Sequence, residues 1–138
     1  MSRWLMAVVL VAMPVGASAA TLAVKVEDID SKGGILRLSL YDEAGWSKAE
    51  DAPLMSANVP AVAPETVVVL KDVKPGVYGI KTFQDANSNG RFDQGFLGIP
   101  LERYGFSRDA RPFLSEPGFN RAKITVGEGE NEITIHLQ

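Results

Sequence analysis

The sequence predicts an all-β protein: a single antiparallel β-sandwich of six or seven strands, following an N-terminal signal peptide. Three observations carry this expectation. Short runs alternate apolar and polar residues with period two, as half-buried strands do. Gly, Pro, Asn and Asp divide those runs, so no helix longer than about three turns is expected. The 138 residues contain no cysteine, so no disulfide braces the fold. An exported domain of this kind is held by its core, with a bound ion as the available supplement.

The leader comes first. Arg3 gives a positive start, Trp4 to Val15 is apolar, and Ala17-Ser18-Ala19-Ala20 supplies the small residues of a cleavage site. The apolar run falls short of the ~20 residues of a membrane span. The alternative, an uncleaved anchor, ignores the small residues that end it. Residues 1–20 are thus read as signal peptide and 21–138 as one domain, with cleavage after Ala19 or Ala20 and a mature protein in the periplasm or, alternatively, outside the cell. No cysteine follows the cleavage site, which excludes a lipoprotein anchor. The mature 118 residues suit one modest core. Their net charge, −3 for the whole chain and one lower without Arg3, argues against a nucleic-acid partner, which needs clustered Lys and Arg. No later run is long and apolar enough to span a membrane.

Leu22, Val24 and Val26 alternate with Lys25 and Glu27, a first strand. Ser31-Lys32-Gly33-Gly34 reads as a turn, and Leu36, Leu38 and Leu40 then alternate with Arg37, Ser39 and Tyr41. The two runs are expected to pair as a first hairpin. Glu43-Ala44-Gly45-Trp46 breaks the strand, and Lys48 to Met55 could hold a short helical turn. Pro53, Pro60 and Pro64 exclude a long helix there. Thr66 to Leu70, apolar at successive positions, reads as a strand buried on both faces. Lys74-Pro75-Gly76 turns the chain into a strand over Val77 to Gln84, with Tyr78, Ile80 and Thr82 on one face. The segment from Asp85 to Gly118 reads as one long loop, and such loops are functional or tied down. Ala122, Ile124 and Val126 then alternate with Lys123 and Thr125. Gly127-Glu128-Gly129-Glu130-Asn131 turns, and Ile133, Ile135 and Leu137 form the last strand. Val24, Leu38, Ile80, Ile124 and Ile135 are expected to lie inward together.

The long loop opens with Asp85-Ala86-Asn87-Ser88-Asn89-Gly90-Arg91-Phe92-Asp93. Side-chain oxygens recur at Asp85, Asn87 and Asn89, a glycine permits a sharp turn, and Asp93 adds a second carboxylate. This spacing suits a structural calcium ion, which takes six to eight oxygen ligands; Arg91 would offer its carbonyl. An EF-hand would place a bidentate Glu where Phe96 stands, so the missing carboxylate would come from Glu102, or from water. Two or three carboxylates imply weak affinity, about 10⁻⁴–10⁻³ M. Magnesium fits poorly, and zinc has no Cys and only one His to bind it. The alternative is a polar turn held by Asx hydrogen bonds, with Glu102 paired to Arg103, Arg108 or Arg111. Trp46, Tyr104, Phe106 and Phe113 suit core packing more than a ligand platform. His136 is expected to be exposed, with no reason to approach Ser107 or Asp109. Asp93 and Glu102 resemble a hydrolytic pair only in composition. The chain is therefore read as not an enzyme.

Two adjoining pieces carry a resemblance. Pro75-Gly76-Val77-Tyr78-Gly79-Ile80 runs into the oxygen-rich loop, and Gly98-Ile99-Pro100-Leu101-Glu102-Arg103-Tyr104-Gly105-Phe106-Ser107 follows. Together they resemble the bacterial secreted family known as domain of unknown function 2141. The likeness implies a transthyretin-like or carboxypeptidase-regulatory-like sandwich and no established activity. The expected function is a non-catalytic binding or accessory module at the cell envelope, meeting an envelope ligand or protein that the sequence does not name and in an oligomeric state it does not set. A small hydrolase using the loop carboxylates, and a structural envelope protein without metal, are the alternatives.

Overall fold

The computed structural model describes residues 19–48 and 52–138. Residues 1–18 of the leader and residues 49–51 of the expected helical turn lie outside them. Eight strands are present among the described residues: β1 (Ala20–Glu27), β2 (Ile35–Tyr41), β3 (Met55–Pro60), β4 (Thr66–Val73), β5 (Gly76–Asp85), β6 (Tyr104–Phe106), β7 (Ile124–Val126) and β8 (Glu130–His136). Two one-turn helices, α1 (Glu43–Trp46) and α2 (Phe119–Ala122), join them. The strands form an all-β sandwich, a three-stranded sheet in the order β4-β1-β8 and a five-stranded sheet β3-β2-β5-β6 with β7 also paired to β5.

Alternation sets the core. Leu22, Val24 and Val26 of β1 face Leu36, Leu38 and Leu40 of β2 across the gap between the sheets, with Val68, Leu70, Ile80 and Ile135 packed among them. Ile124 is partly buried against the same core. Removing this much apolar surface from water supplies the main favourable contribution to folding.

Several sequence expectations are corrected. β1 and β2 do not pair as a hairpin; each lies in a different sheet, because both carry a fully apolar face and those faces stack rather than align edge to edge. The crossing segment is held by Gln84, whose amide accepts from Asp30 N at 2.8 Å and donates to the carbonyls of Asp30 and Gly33, both at 2.8 Å. The sandwich is not wholly antiparallel: β1 and β8 run parallel, in register from Thr21↔Glu130 to Glu27↔His136. The strand breaker at residues 43–46 is helix α1, started by Asp42, whose side chain accepts from Gly45 N at 2.7 Å. Residues 55–60 form strand β3 on the sheet edge, where Pro60 is tolerated as a terminal residue. β4 is buried on one face only; Val67 and Val69 are exposed beside buried Val68 and Leu70. The long loop is interrupted by β6, three residues and so too short for a period to register in sequence.

A second cluster caps one end of the five-stranded sheet. Trp46 packs edge-on to Tyr41, Phe106 and Phe119, with ring centroids 5.9, 6.2 and 6.0 Å away. Its indole donates to Pro117 O at 2.9 Å, which ties the distal part of the long loop to the sheet. A Cβ at Gly79 would stand 2.5 Å from the Trp46 ring, so only glycine fits there.

Candidate functional site

Strand β5 delivers Asp85 to the start of the loop with its side chain fully buried. Arg37 Nε, on neighbouring β2, donates to Asp85 Oδ2 at 2.7 Å. Gly90 N donates to the same oxygen at 2.8 Å, and Asn89 N to Oδ1 at 3.1 Å. Burial by itself would push the Asp85 carboxyl up; Arg37 and the two amides outweigh it and hold the group below the usual carboxylate value. Gly90 sits at φ +80°, which lets the chain fold back so that its own amide points at Asp85.

Asp93 lies across the loop. Asn87 Nδ2 donates to it at 2.8 Å, and Asn89 Nδ2 donates to both of its oxygens at 2.8 and 2.9 Å. The amide oxygens are engaged locally: Asn87 Oδ1 accepts from Asn89 N at 3.3 Å, and Asn89 Oδ1 from Arg91 N at 2.9 Å. These are the Asx bonds of a polar turn. Glu102 bonds to none of Arg103, Arg108 or Arg111; its carboxylate accepts from Ala86 N at 2.9 Å and Asp93 N at 2.8 Å and straps the two ends of the loop together.

The six residues singled out in the sequence therefore lie in one loop, but in two groups. Asn87, Asp93 and Glu102 line a single open depression of about 360 Å³. Asp85 is buried behind it against Arg37, and Asn89 and Arg91 do not line it. Among the described residues, no three His, Cys, Asp or Glu side chains converge as a preformed metal cluster. The Asp93 and Glu102 carboxylates offer oxygens to the depression, which suit a hard cation, while Asn87 turns its amide nitrogen toward Asp93. Each Glu102 oxygen takes one amide proton and keeps a second lone pair, so the strap and a cation are compatible.

A larger feature lies beside the loop. A groove of about 670 Å³ runs over the outer face of β2, β5 and β6, walled by the segments around Phe92–Pro100 and Pro112–Glu116. One wall is a ladder of rings: Phe83–Phe92, Phe92–Tyr104 and Tyr104–Phe106, with centroids 5.4, 5.7 and 5.9 Å apart. On the floor, Lys81 Nζ stands 4.7 Å from the centroids of both Tyr41 and Trp46. It donates to Trp46 O at 3.0 Å and to Glu116 at 2.8 Å. Sequence reasoning missed this groove. The available signal was the outward set of Arg37, Ser39, Lys81 and Phe83, whose polar and aromatic character on a sheet face is covered by loop. Of the four rings weighed in the sequence, Trp46, Tyr104 and Phe106 pack in the second cluster, and Phe113 is exposed.

His136 does meet Asp109. Asp109 accepts the His136 backbone amide at 2.8 Å and contacts Nδ1 at 2.8 Å, while Glu27 reaches Nε2 at 2.8 Å. Asp109 in the first place, and Glu27 and Asp28 after it, raise the imidazole's pKa against a smaller opposing effect of burial. Ser107 is buried and engaged elsewhere: it accepts from Ile80 N at 2.9 Å and donates to Ala122 O.

A family model described as an uncharacterized protein conserved in bacteria (DUF2141) matches residues 24–134. No curated protein and no solved structure matches the chain.

Proposed function

We propose, for a chain that belongs to the bacterial family DUF2141, the role of an exported, non-catalytic binding or accessory module of the cell envelope with structural calcium in its 85–102 loop. The observation that carries the metal is the shared depression of Asn87, Asp93 and Glu102. Asp93 and Glu102 both line this depression, so two carboxylates share one small space. A cation between them converts repulsion into attraction. The Asn87 and Asn89 amides already present their donor ends to Asp93. Turning the Asn87 amide over would bring its oxygen to the depression at the loss of its bond from Asn89 N, a cost that points to weak affinity. Arg37 competes with the ion for Asp85, which supports weak affinity.

The non-catalytic reading is supported by the bonds that hold Ser107 and His136. The serine hydroxyl donates to a backbone carbonyl and the imidazole nitrogens face two carboxylates, so no base is poised on the nucleophile. Export is supported by the leader motif. Ala20 is buried and pairs with Val73, so cleavage that leaves Ala20 as the first residue keeps β1 whole; an intact mass starting at Ala20 is expected, and one retaining Trp4 would mark an anchor.

Calcium that binds only the folded chain raises its stability. Melting temperature is expected to rise in millimolar calcium relative to chelator, to respond far less to magnesium, and to lose the calcium response in Asp93→Asn. Equal melting curves in calcium and chelator, with no heat of binding, would make the loop an ordinary polar turn.

A further inference from the structure

The geometry points to the groove over β2, β5 and β6 as a binding site for a small amphipathic carboxylate, an aromatic body carrying one anionic head that pairs with Lys81. The inference rests on the reading of the chain as a binding module and not on the metal. A cavity of about 670 Å³ falls within the ~300–1,000 Å³ range of small-molecule sites. Its charged lining is Arg37, Lys48, Lys81 and Glu116; Arg37 is already paired to the buried Asp85, so Lys81, whose own partner Glu116 is exposed, is the cation that an incoming anion can take over.

Lys81 is held for this task. Its ammonium sits over the Tyr41 and Trp46 rings and donates to Trp46 O, which fixes its direction. Glu116, its carboxylate partner, belongs to the loop rather than the sheet, and its side chain is 57% exposed while that of Lys81 is 21% exposed. An exposed ion pair of this kind is worth little. An incoming carboxylate can therefore take the place of Glu116 at small cost, while Glu116 turns to solvent. Pro117, the next residue, stays pinned by Trp46, so the exchange needs only a side-chain movement.

The apolar half of the ligand has its own partners. The ladder of Phe83, Phe92, Tyr104 and Phe106 offers ring faces and edges along one wall. On the opposite wall Leu114 is 98% exposed and held at φ +64°, a conformation that bulky side chains rarely adopt. A leucine presented to water in a strained backbone gains most when a ligand body covers it.

The test is calorimetric titration of the full chain with 2-naphthoate and with the neutral 2-naphthalenemethanol, each in calcium and in chelator. Naphthoate is expected to bind at least about tenfold more tightly than the alcohol, the factor expected of one charge-assisted contact. Lys81→Met is expected to erase that difference while retaining alcohol binding. Glu116→Gln, at an exposed loop position, is expected to tighten naphthoate alone, because the competing counter-ion is gone. Equal affinity for both probes with no response to Glu116→Gln would overturn the proposal, as would no heat from naphthoate in either condition. Naphthoate binding in chelator supports the groove even where calcium leaves the melting curve unmoved, so the two readings fail separately.

Discussion

Arg37 and Leu38 are neighbours on one strand and serve opposite regions. Leu38 turns inward to a core whose partners come from β1, β4, β5 and β8, all by alternation. Arg37 turns outward to a polar face completed by residues far along the chain: Asp85 at the loop entrance and the groove walls from 92 to 116. The inner region is redundant, since any apolar side chain of about the right size contributes to it. The outer region depends on single hydrogen bonds and single charges. Stability is therefore expected to reside inside and ligand response outside, and substitutions can break that division.

The sharpest break comes from cavity creation. Leu38→Ala or Ile80→Ala is expected to cost about 2–5 kcal/mol, measured by urea unfolding, because both side chains are fully buried in a close-packed core. Val67→Thr, on the open face of β4, is expected to stay within about 0.5 kcal/mol. Similar losses at the two positions would mean that the exposed face of β4 is covered by something in solution.

Next in size is Asp85, where the two regions touch. Its side chain is as buried as the core yet charged, and it is the partner of Arg37 and of two loop amides. Asp85→Ala is expected to cost about 2–4 kcal/mol in chelator, by leaving these donors unpaired, apart from any effect on calcium. Since the folded pKa lies below the unfolded value of 3.8, its contribution is complete above that value and is lost as pH falls through the folded pKa. Asp85→Asn should therefore flatten the acid limb of the stability curve below pH ~4. An unchanged acid limb would assign acid unfolding to other carboxylates.

This division also explains what could be read in the sequence. Period two is a local property, so Leu22 to Val26, Leu36 to Leu40 and Tyr78 to Thr82 announced their inward faces without knowledge of partners. Which strand lies beside which is not local, and the parallel β1–β8 pair and the placement of β1 and β2 in opposite sheets left no trace in either run. The oxygen-rich loop was visible as spacing along nine residues, but the burial of Asp85 behind Arg37 depends on a residue 48 positions away. The strap from Glu102 was foreseen as a nearby carboxylate and not as an acceptor of backbone amides. The groove is hard to read from sequence because its floor, its ring ladder and Glu116 come from five separated segments, of which only the outward sets on β2 and β5 carry a signal.

The smallest expected effect tests whether the outer region also links the sheets. His136, at the end of β8, is bracketed by Asp109 after β6 and by Glu27 at the end of β1, so one ring joins the two sheets at the rim. Its side chain is 48% exposed, and solvent screens the pairing, so the expected stabilisation is slight. The sign follows from the direction of the shift. The hydrogen bond from Asp109 comes first among the influences that raise the folded pKa above 6.5. The contribution is thus fully present below the unfolded value and disappears as pH rises through the folded pKa. Wild-type stability should decline slightly on the alkaline side of pH ~6.5, and His136→Asn should remove that decline while lowering stability at pH 6. Proton NMR titration of the ring is the direct check. A ring pKa at or below 6.5 would mean that Asp109 and Glu27 face solvent instead, leaving the sheets joined at this rim by Arg103, which donates to Asp28 O at 2.7 Å, and by backbone bonds.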